Sequence, residues 1–247
     1  MAKSRVLKGI ERTRLLDELH NKYAHSPNVK QQILYKRKKY SWLAIVGGTK
    51  FLKRLIDIFL STFLLIILSP LFLIIAIIVK VSDGGPVFYV ANRVGKWGTE
   101  FRFPKFRSMK IGADSIKKDL LPFSHHKNGV TFKMKHDPRM TLIGKILRKT
   151  SLDELPQLWC VLKGDMSLVG PRPPLPEEVA LYTFTERRRL DVTPGITCIW
   201  QVKGRADIPF KQQVQLDLQY IESQSIWLDF KLLLKTIPAV LLGKGAY

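Results

Sequence analysis

The stretch TSLDELPQ, residues 150–157, places two carboxylates side by side in a chain that is otherwise strongly basic. The 247 residues include 41 lysines and arginines but only 20 aspartates and glutamates, a formal net charge of +21. Adjacent side chains point about 100° apart on a helix, so Asp153 and Glu154 cannot share a proton as residues three or four apart can. The pattern indicates that one carboxylate reacts while the other binds or orients a ligand.

Asp153 also suits a purely structural role. Pro156 is compatible with the first turn of a helix, which would place Asp153 at or just before a helix N-terminus. An aspartate there is most simply a cap. Several long cations lie in glycine- and proline-bounded turns or at segment ends, where such side chains often bind anionic ligands. Together they favour a reactive role for Asp153. Each of them alone is equally well explained as a surface residue. They are Lys105, Arg107, Arg148, Arg172 and Arg205.

A membrane segment is indicated by residues 58–79, a run of 22 residues without a charge. About 20 apolar residues suffice to cross a bilayer as a helix. A secretory signal peptide fits poorly, because the run is too long and begins far from the N-terminus. Asp57, at the entry to the run, is expected to pair with Arg54 at the interface or to face headgroups from a helix start.

A simple transmembrane span is one interpretation of this run, but two features favour a helix that enters the membrane, breaks and returns to the same face. Both flanks are basic, and the positive-inside rule keeps basic flanks in the cytoplasm. Pro70 lies near the middle, lacks an N–H and clashes with the carbonyl of Ile66. A carbonyl freed in hydrocarbon needs a partner, which the hydroxyl of Ser69 can supply. We therefore expect a re-entrant helix broken at Ser69-Pro70.

The remaining pattern predicts a mainly α chain with a small β-hairpin, an α+β fold. Residues 87–90 are predicted to pair with residues 100–106 in the hairpin. Helical spacing is found over 141–147, near Glu177 and over 210–221. Two further interpretations concern the charged run 186–189, taken as a solvated helix face, and the apolar stretch 226–242, either core or an interfacial helix.

Three regions follow along the chain. Residues 1–50 form a basic extension, predicted to be helical and associated with a membrane surface, although a solvated basic tail explains the charge nearly as well. Residues 51–81 are predicted to form the re-entrant membrane helix, and residues 82–247 a cytoplasmic domain that carries the candidate catalytic residues and includes C-terminal interfacial helices.

Composition narrows the classes of partner. A strongly basic chain binds polyanions such as nucleic acid, anionic lipid or phosphorylated substrates. Residues 1–54 carry a net charge of +11, so the excess is concentrated ahead of the apolar run. Nucleic-acid binding rests on charge alone and lacks a motif. Cysteine and histidine spacing argues against a disulfide framework or a zinc site; the residues concerned are Cys160, Cys198, His125, His126 and His136.

Residues 51–247 resemble the bacterial sugar transferase family, the monotopic polyprenyl-phosphate phosphoglycosyl transferases. The resemblance is carried by KRLID followed by LSP, by GPVFY followed by RVG, and by FRFPKFRSM. It continues in DPRMTLIGKILRKTSLDELPQLWCVLKGDMSLVGPRP, TPGITCIWQVKGR and the C-terminal LDLQYI with WLDFKLLLKT. The block from SLDELPQ to GPRP is the most specific of these.

The resemblance implies an enzyme that transfers a sugar 1-phosphate from a UDP-sugar to undecaprenyl or another polyprenyl phosphate, releases UMP and needs Mg²⁺. Asp153 matches the family's nucleophile, which would also serve as the metal ligand, and Glu154 matches its partner. Arg148, Arg172 and Arg205 match family arginines that hold phosphate groups, and Lys105 matches a basic residue near the site. Arg107 is a further candidate phosphate ligand, and the helix break is matched by Ser69 and Pro70. The expected location is the cytoplasmic face of the bacterial inner membrane, on anionic phospholipid, and a homodimer is compatible with it.

A catalytically silent, membrane-tethered scaffold of a glycan assembly complex is the alternative function. Such a protein would be expected to lose Asp153, Glu154 or the arginines, and none is lost here. The residues do not specify the sugar, the glycan pathway, the oligomeric state, the uridine-binding residues or the role of residues 1–50.

Overall fold

The computed structural model describes residues 29–113, 115–116, 134 and 137–242. These residues are mainly helical with two small sheets, which confirms the predicted α+β class. The chain divides into two compact units, residues 1–56 and 57–247. Residues 1–28 of the predicted N-terminal extension and the histidines His125, His126 and His136 lie outside the described residues.

The helices and strands follow one another in the order α1 (Val29–Ile67), α2 (Ser69–Asp83), β1 (Phe88–Val94), β2 (Glu100–Phe106), α3 (Leu142–Lys149), α4 (Leu158–Lys163), β3 (Ser167–Val169), α5 (Pro176–Ala180), α6 (Phe184–Arg187), β4 (Gly195–Thr197), α7 (Ile199–Lys203), α8 (Phe210–Ser223) and α9 (Ile226–Leu242). Short 3-10 helices lie at Lys96–Gly98, Leu152–Gln157, Arg188–Asp191 and Arg205–Asp207.

The apolar segment breaks where the sequence predicts a break. Leu68 separates α1 from α2, and Pro70 lies in the first turn of α2. The Ser69 hydroxyl donates a hydrogen bond of 2.8 Å to the carbonyl of Ile66. The acceptor that the proline frees is therefore satisfied by the preceding side chain, as predicted.

Both helices around the break leave apolar side chains exposed. Within the described residues no single helix has the length and hydropathy to cross a bilayer, whereas Gly47–Ile67 and α2 meet that condition as a pair bent by 60°. An exposed apolar surface of this extent marks an interaction site with lipid or protein. It includes Phe59, Phe63, Ile66, Leu73, Ile74 and Ile77.

Asp57 does not lie at an interface. Its side chain is buried, and its Oδ1 accepts a hydrogen bond of 3.0 Å from the backbone N–H of Leu168, 111 residues away. The prediction that Asp57 faces headgroups is therefore wrong. A buried carboxylate needs such a partner, since an unpaired one would be costly.

The predicted hairpin is present, with β1 longer than expected. β1 and β2 are antiparallel, and Phe88 pairs with Phe106 and Val94 with Glu100. One core cluster covers the end of the hairpin: Phe106 packs with Ile75 and Val79 of α2 and with Leu147 of α3. The apolar helix α2 is thus packed directly against β2, the strand that ends beside the SLDELPQ segment.

A second sheet forms behind this segment. β3 pairs in parallel with β4, and these strands approach closely at Gly170 and Gly195. A Cβ on Gly195 would lie 2.0 Å from the backbone nitrogen of Gly170, so only glycine fits there. The larger core cluster packs over this sheet and contains Phe103, Leu158, Val161, Val169, Tyr220 and Leu232, with Leu60 and Leu64 of α1 against it.

The C-terminal helices confirm the predicted helical spacing. They also show how residues 226–242, predicted to be either core or an interfacial helix, are packed. α8 buries Phe210 and Val214, as the helical spacing predicts. α9 buries Leu232 in the core but exposes an opposite face formed by Trp227, Phe230, Leu234 and Ile237. The helix is therefore core on one side and apolar surface on the other.

The run 186–189 is only partly a solvated face. Arg187 and Arg188 are exposed, but Arg189 is buried. Its Nε donates to Asp217 at 2.9 Å, and its Nη1 donates to the hydroxyl of Tyr182 at 2.7 Å. The interpretation as a wholly solvated face is therefore wrong, because α8 supplies a buried counter-charge that local sequence does not reveal.

Candidate functional site

Glu154 lies between two cations from different parts of the chain. Lys105 Nζ contacts its Oε1 at 2.7 Å, and Arg172 Nη2 contacts the same oxygen at 2.8 Å. Arg172 Nη1 reaches Oε2 at 3.5 Å. Burial alone would raise the pKa of Glu154, but Arg172 and Lys105 hold it well below its usual range. Glu154 is therefore an ionised carboxylate with both oxygens engaged.

Asp153 is buried beside Glu154 but is held far less tightly. Its Oδ2 lies 3.6 Å from Lys105 Nζ, and within the part of the chain that the structure describes the carboxylate makes no hydrogen bond. Burial raises the pKa of Asp153, and Lys105 opposes that rise. A carboxylate without hydrogen bonds next to a cation is free to react with or bind an incoming group.

The capping interpretation of Asp153 is wrong. Asp153 is the second residue of the 3-10 helix Leu152–Gln157, whose N-cap is Ser151. Ser151 adopts a left-handed conformation with φ 56°, which turns the chain sharply after α3. Gln157 occupies the N-cap of α4. The turn thus places Asp153 and Glu154 in the interior, against β2.

Lys105 reaches both carboxylates because of its place on β2. It is paired with Tyr89 in the hairpin register, and its side chain lies on the same face as Phe103. Burial lowers the pKa of Lys105, and Glu154 and Asp153 counteract that effect. The prediction of a cation at this position beside the carboxylates is supported by the 2.7 and 3.6 Å contacts.

Arg172 is carried by the proline-rich loop between β3 and α5. Gly170 N–H donates to Thr197 O at 3.0 Å, and Gly195 N–H donates to Pro171 O at 2.9 Å, so β4 fixes the start of the loop. Burial would lower the pKa of Arg172, but Glu154 raises it above its ordinary value. The guanidinium is therefore permanently charged and directed at Glu154.

Arg205 also lies near the carboxylates. Its backbone has φ 49°, and its Nη1 is buried without a hydrogen-bond partner in the described part of the chain. Burial lowers the pKa of Arg205, while Glu154 and Asp153 act to raise it. A buried guanidinium nitrogen without a partner is an unusual feature, and an anionic ligand would satisfy it.

Arg148 and Arg107 occupy different surroundings. Arg148 Nε donates to the Ser108 hydroxyl at 3.0 Å, and its charge acts to lower the pKa of Asp153. Arg107 forms an ion pair with Asp83 at the end of α2. The structure therefore gathers Lys105, Arg148, Arg172 and Arg205 around the carboxylates, whereas Arg107 binds Asp83 of helix α2; its role as a phosphate ligand stays a prediction.

Arg93 and Ser108 are site residues that the sequence reasoning missed. Arg93 lies on β1, and the charges of Arg172 and Glu154 both affect its pKa. The alternation of the hairpin carried the signal, since Arg93 and Lys105 fall on the same face. Five cations then surround two carboxylates and leave three positive charges in excess, which suits a ligand with several negative charges.

The carboxylates could hold a magnesium ion only together with ligands from the substrate. Among the described residues no group of three histidine, cysteine, aspartate or glutamate side chains could enclose a metal. Mg²⁺ is commonly held by one or two carboxylates together with substrate phosphates. Asp153 fits that mode because no described residue hydrogen-bonds to its oxygens, whereas those of Glu154 are engaged by Lys105 and Arg172.

Comparison with known proteins points in the same direction. Residues 48–243 match the family model described as bacterial sugar transferase. The chain is 55% identical over 166 residues to the galactosyl transferase CpsE of Streptococcus agalactiae, covering 67% of this chain and 37% of that protein. It is 45% identical over 204 residues to the undecaprenyl-phosphate galactose phosphotransferase of Salmonella typhimurium, covering 81% and 42% respectively.

A shorter relative matches over nearly its full length. The exopolysaccharide production protein ExoY of Rhizobium meliloti is 41% identical over 205 residues, which is 82% of this chain and 90% of that protein. The chain thus spans less than half of the two longer relatives and most of the shorter one.

Gly144 is expected to be essential for placing Arg148. A Cβ at this position would lie 1.9 Å from the backbone oxygen of Ser108, whose hydroxyl accepts from Arg148. Gly144→Ala should therefore destabilise the protein by about 1–3 kcal/mol, because the overpacked helix α3 must move away from Ser108. The melting temperature in detergent measures this change.

Gly48→Ala is the matched control. Gly48 is also helical, but nothing lies within 4 Å of its added Cβ. This substitution should be neutral or stabilise by up to about 1 kcal/mol, since alanine favours helix over glycine. Equal effects of the two substitutions would contradict the close approach at Ser108.

Proposed function

Because the chain belongs to the bacterial sugar transferase family, we propose that it transfers a hexose 1-phosphate from a UDP-sugar to undecaprenyl phosphate or another polyprenyl phosphate, with release of UMP. The observation that carries the proposal is the arrangement of Asp153 and Glu154 under the cations Lys105 and Arg172. A UDP-sugar has a diphosphate, and the excess of positive charge here suits it.

The proposed first step is nucleophilic attack by Asp153 on the β-phosphorus. An oxygen of the carboxylate forms a bond to phosphorus, the bond from that phosphorus to the bridging oxygen breaks, and UMP leaves with the bridging oxygen. The sugar phosphate is then held as a mixed anhydride on Asp153. Asp153 is the better candidate nucleophile because, among the described residues, nothing hydrogen-bonds to its oxygens, whereas those of Glu154 are engaged.

The second step regenerates the enzyme. A phosphate oxygen of the polyprenyl phosphate attacks the same phosphorus, the bond to Asp153 breaks, and the carboxylate is released. The product is a polyprenyl diphosphate sugar. Two steps through one covalent intermediate mean that the nucleotide and the lipid need not be bound together.

The cations would reduce the repulsion between the carboxylate of Asp153 and the anionic diphosphate that it attacks. Lys105 contacts Asp153 at 3.6 Å and so lies where negative charge collects on the phosphoryl oxygens. Arg172 and Arg205 would bind the two phosphates, and Nη1 of Arg205, which has no hydrogen-bond partner among the described residues, would provide a donor. Fixed, buried donors stabilise developing charge without the reorganisation that water requires. Glu154 keeps Lys105 and Arg172 in these positions.

Magnesium is part of the proposal. Asp153 would hold the ion together with substrate phosphates, and bound Mg²⁺ would supply positive charge to the phosphoryl oxygens and to the departing UMP.

We further propose that α1 and α2 form a re-entrant membrane segment on the cytoplasmic face of the bacterial inner membrane. α2 has 15 residues, so it extends about 22 Å, less than the about 30 Å of a bilayer core. The 60° bend at Ser69-Pro70 and the exposed apolar faces suit a helix pair that enters and leaves one leaflet. Anionic phospholipid would attract the basic residues 1–50.

The family relationship leaves the sugar open. The relatives in Salmonella typhimurium and Aeromonas hydrophila are named for galactose and for N-acetylgalactosamine respectively. A panel of UDP-galactose, UDP-glucose and N-acetylated UDP-sugars, each with undecaprenyl phosphate and detected as UMP, identifies the donor. Wild-type protein that releases no UMP with any donor would favour the scaffold function instead.

Replacing the proposed nucleophile should abolish transfer. Asp153→Asn should lower UMP release by more than about three orders of magnitude, since the amide cannot form the phosphoanhydride. Intact-mass analysis after incubation with the UDP-sugar alone should show a hexose-phosphate adduct on the wild type and none on the variant. Asp191→Asn, which changes an exposed carboxylate, is the matched control and should retain both. Product formation by the Asp153 variant would refute the assignment.

Divalent metal should be required for UMP release. Excess chelator should stop the reaction because the phosphoryl charge would no longer be neutralised, and added Mg²⁺ should restore it. Chelator that is already saturated with Mg²⁺ controls for effects on the detergent or lipid. Activity that persists in excess free chelator would exclude the metal role.

Both ends of the helix pair should label from the cytoplasmic side. Single cysteines at Lys50→Cys and Ser82→Cys can be compared in intact spheroplasts and in inverted vesicles, with the unsubstituted protein as background because Cys160 and Cys198 are buried. Pro70→Ala should straighten the segment and change this pattern. Labelling of the two ends from opposite faces in otherwise unchanged protein would contradict the re-entrant topology.

A further inference from the structure

Arg93 contacts the loop that carries Arg172. Its Nη1 donates a hydrogen bond of 3.1 Å to the carbonyl of Pro173, the residue directly after Arg172. The backbone N–H of Val94 donates to the next carbonyl, that of Pro174, at 2.9 Å. The end of β1 thus holds the far side of the loop, while β4 holds its start.

The same guanidinium is linked to Lys105 through a shared aromatic ring. Arg93 lies over Phe103, with 5.2 Å from its guanidinium carbon to the ring centroid, and Lys105 Nζ lies 5.6 Å from that centroid. The ring is almost fully buried, so it cannot move without disturbing the core. Cations bind aromatic faces in this range, more strongly where water is excluded.

Arg93 therefore restricts the positions of both cations that bind Glu154. Arg172 is one residue from the carbonyl that Arg93 binds, and Lys105 is two residues along β2 from the ring that Arg93 covers. Pro171, Pro173 and Pro174 have no N–H, so the loop has few backbone donors of its own with which to fix its conformation. Donors from outside the loop, among them Arg93 and the N–H of Val94, bind its carbonyls instead.

We propose that Arg93 is a positioning residue that sets the spacing between Lys105 and Arg172 for binding of the UDP-sugar diphosphate. The proposal rests on the proposed transfer reaction. Arginine suits this role because a planar guanidinium can donate at its edge while its face lies on an aromatic ring, which lysine cannot do.

The charge of Arg93 is maintained in the site. Burial lowers its pKa to about 10, with Arg172 acting in the same direction and Glu178 and Glu154 opposing it. The group is still protonated near neutral pH, so the hydrogen bond to Pro173 keeps a charged donor.

The test compares Arg93→Met, Arg93→Lys and Arg102→Met in single-turnover measurements of UMP release as the UDP-sugar concentration is varied. Arg102 lies on the same hairpin but on its exposed, opposite face, so Arg102→Met is the matched control. The burst amplitude gives the fraction of folded enzyme. The burst rate and the half-saturating donor concentration report on the site.

Arg93→Met is expected to lower the burst rate at saturating donor by about ten- to a hundredfold and to raise the half-saturating concentration, because a small displacement of phosphate-binding groups has effects of this size. Arg93→Lys should keep the amplitude and recover only part of the rate, since it supplies the charge without the planar fork. Arg102→Met should match the wild type.

The outcomes separate the two proposals. Loss of amplitude in Arg93→Met, with unchanged rate and donor dependence, would mean a merely structural role and would overturn the inference. If Arg93→Met does not fold, Arg93→Lys decides: rate and donor dependence equal to the wild type would also overturn it. Absence of any burst in the wild type would instead refute the proposed transfer reaction.

Discussion

The ion pairs of Glu154 with Lys105 and Arg172 are the constraint on which the site depends. They join three separate segments, namely strand β2, the 3-10 helix after α3 and the loop after β3. Buried ion pairs add little net stability, since desolvation offsets the attraction, but removing one partner costs about 3–5 kcal/mol. Their main consequence is therefore geometric: Glu154 fixes two cations beside Asp153, whose carboxylate has no hydrogen bond from the rest of the described chain.

The loops around these pairs are built from residues that restrict the backbone. Gly144 and Gly195 allow helix α3 and strand β4 to approach neighbouring main chain more closely than any side chain would permit. The prolines after Gly170 remove donors and stiffen the loop that carries Arg172. A cation on such a loop loses little conformational entropy when it binds an anion, which favours pre-organised binding.

The bent pair of apolar helices, α1 and α2, packs against the elements that carry the site residues. Ile75 and Val79 of α2 pack on Phe106, which ends the strand that carries Lys105. Asp57 of α1 holds the N–H of Leu168 in β3, the strand that leads into the Arg172 loop. The cations on both sides of Glu154 are therefore supported from the bent helix pair, which fits the proposed reaction between a soluble nucleotide and a lipid.

The sequence by itself determined the features with local causes. Pro70 lacks a donor and Ser69 supplies a hydroxyl next to it, so the break and its hydrogen bond could be predicted; the alternation of the hairpin and the DELPQ segment likewise identified β2 and the carboxylates. Only the tertiary structure decided which partner each buried charged side chain binds. Asp57 and Leu168 lie 111 residues apart, and Arg189 pairs with Asp217 on another helix. Such partners depend on which elements pack together, and charge spacing along a chain does not encode that.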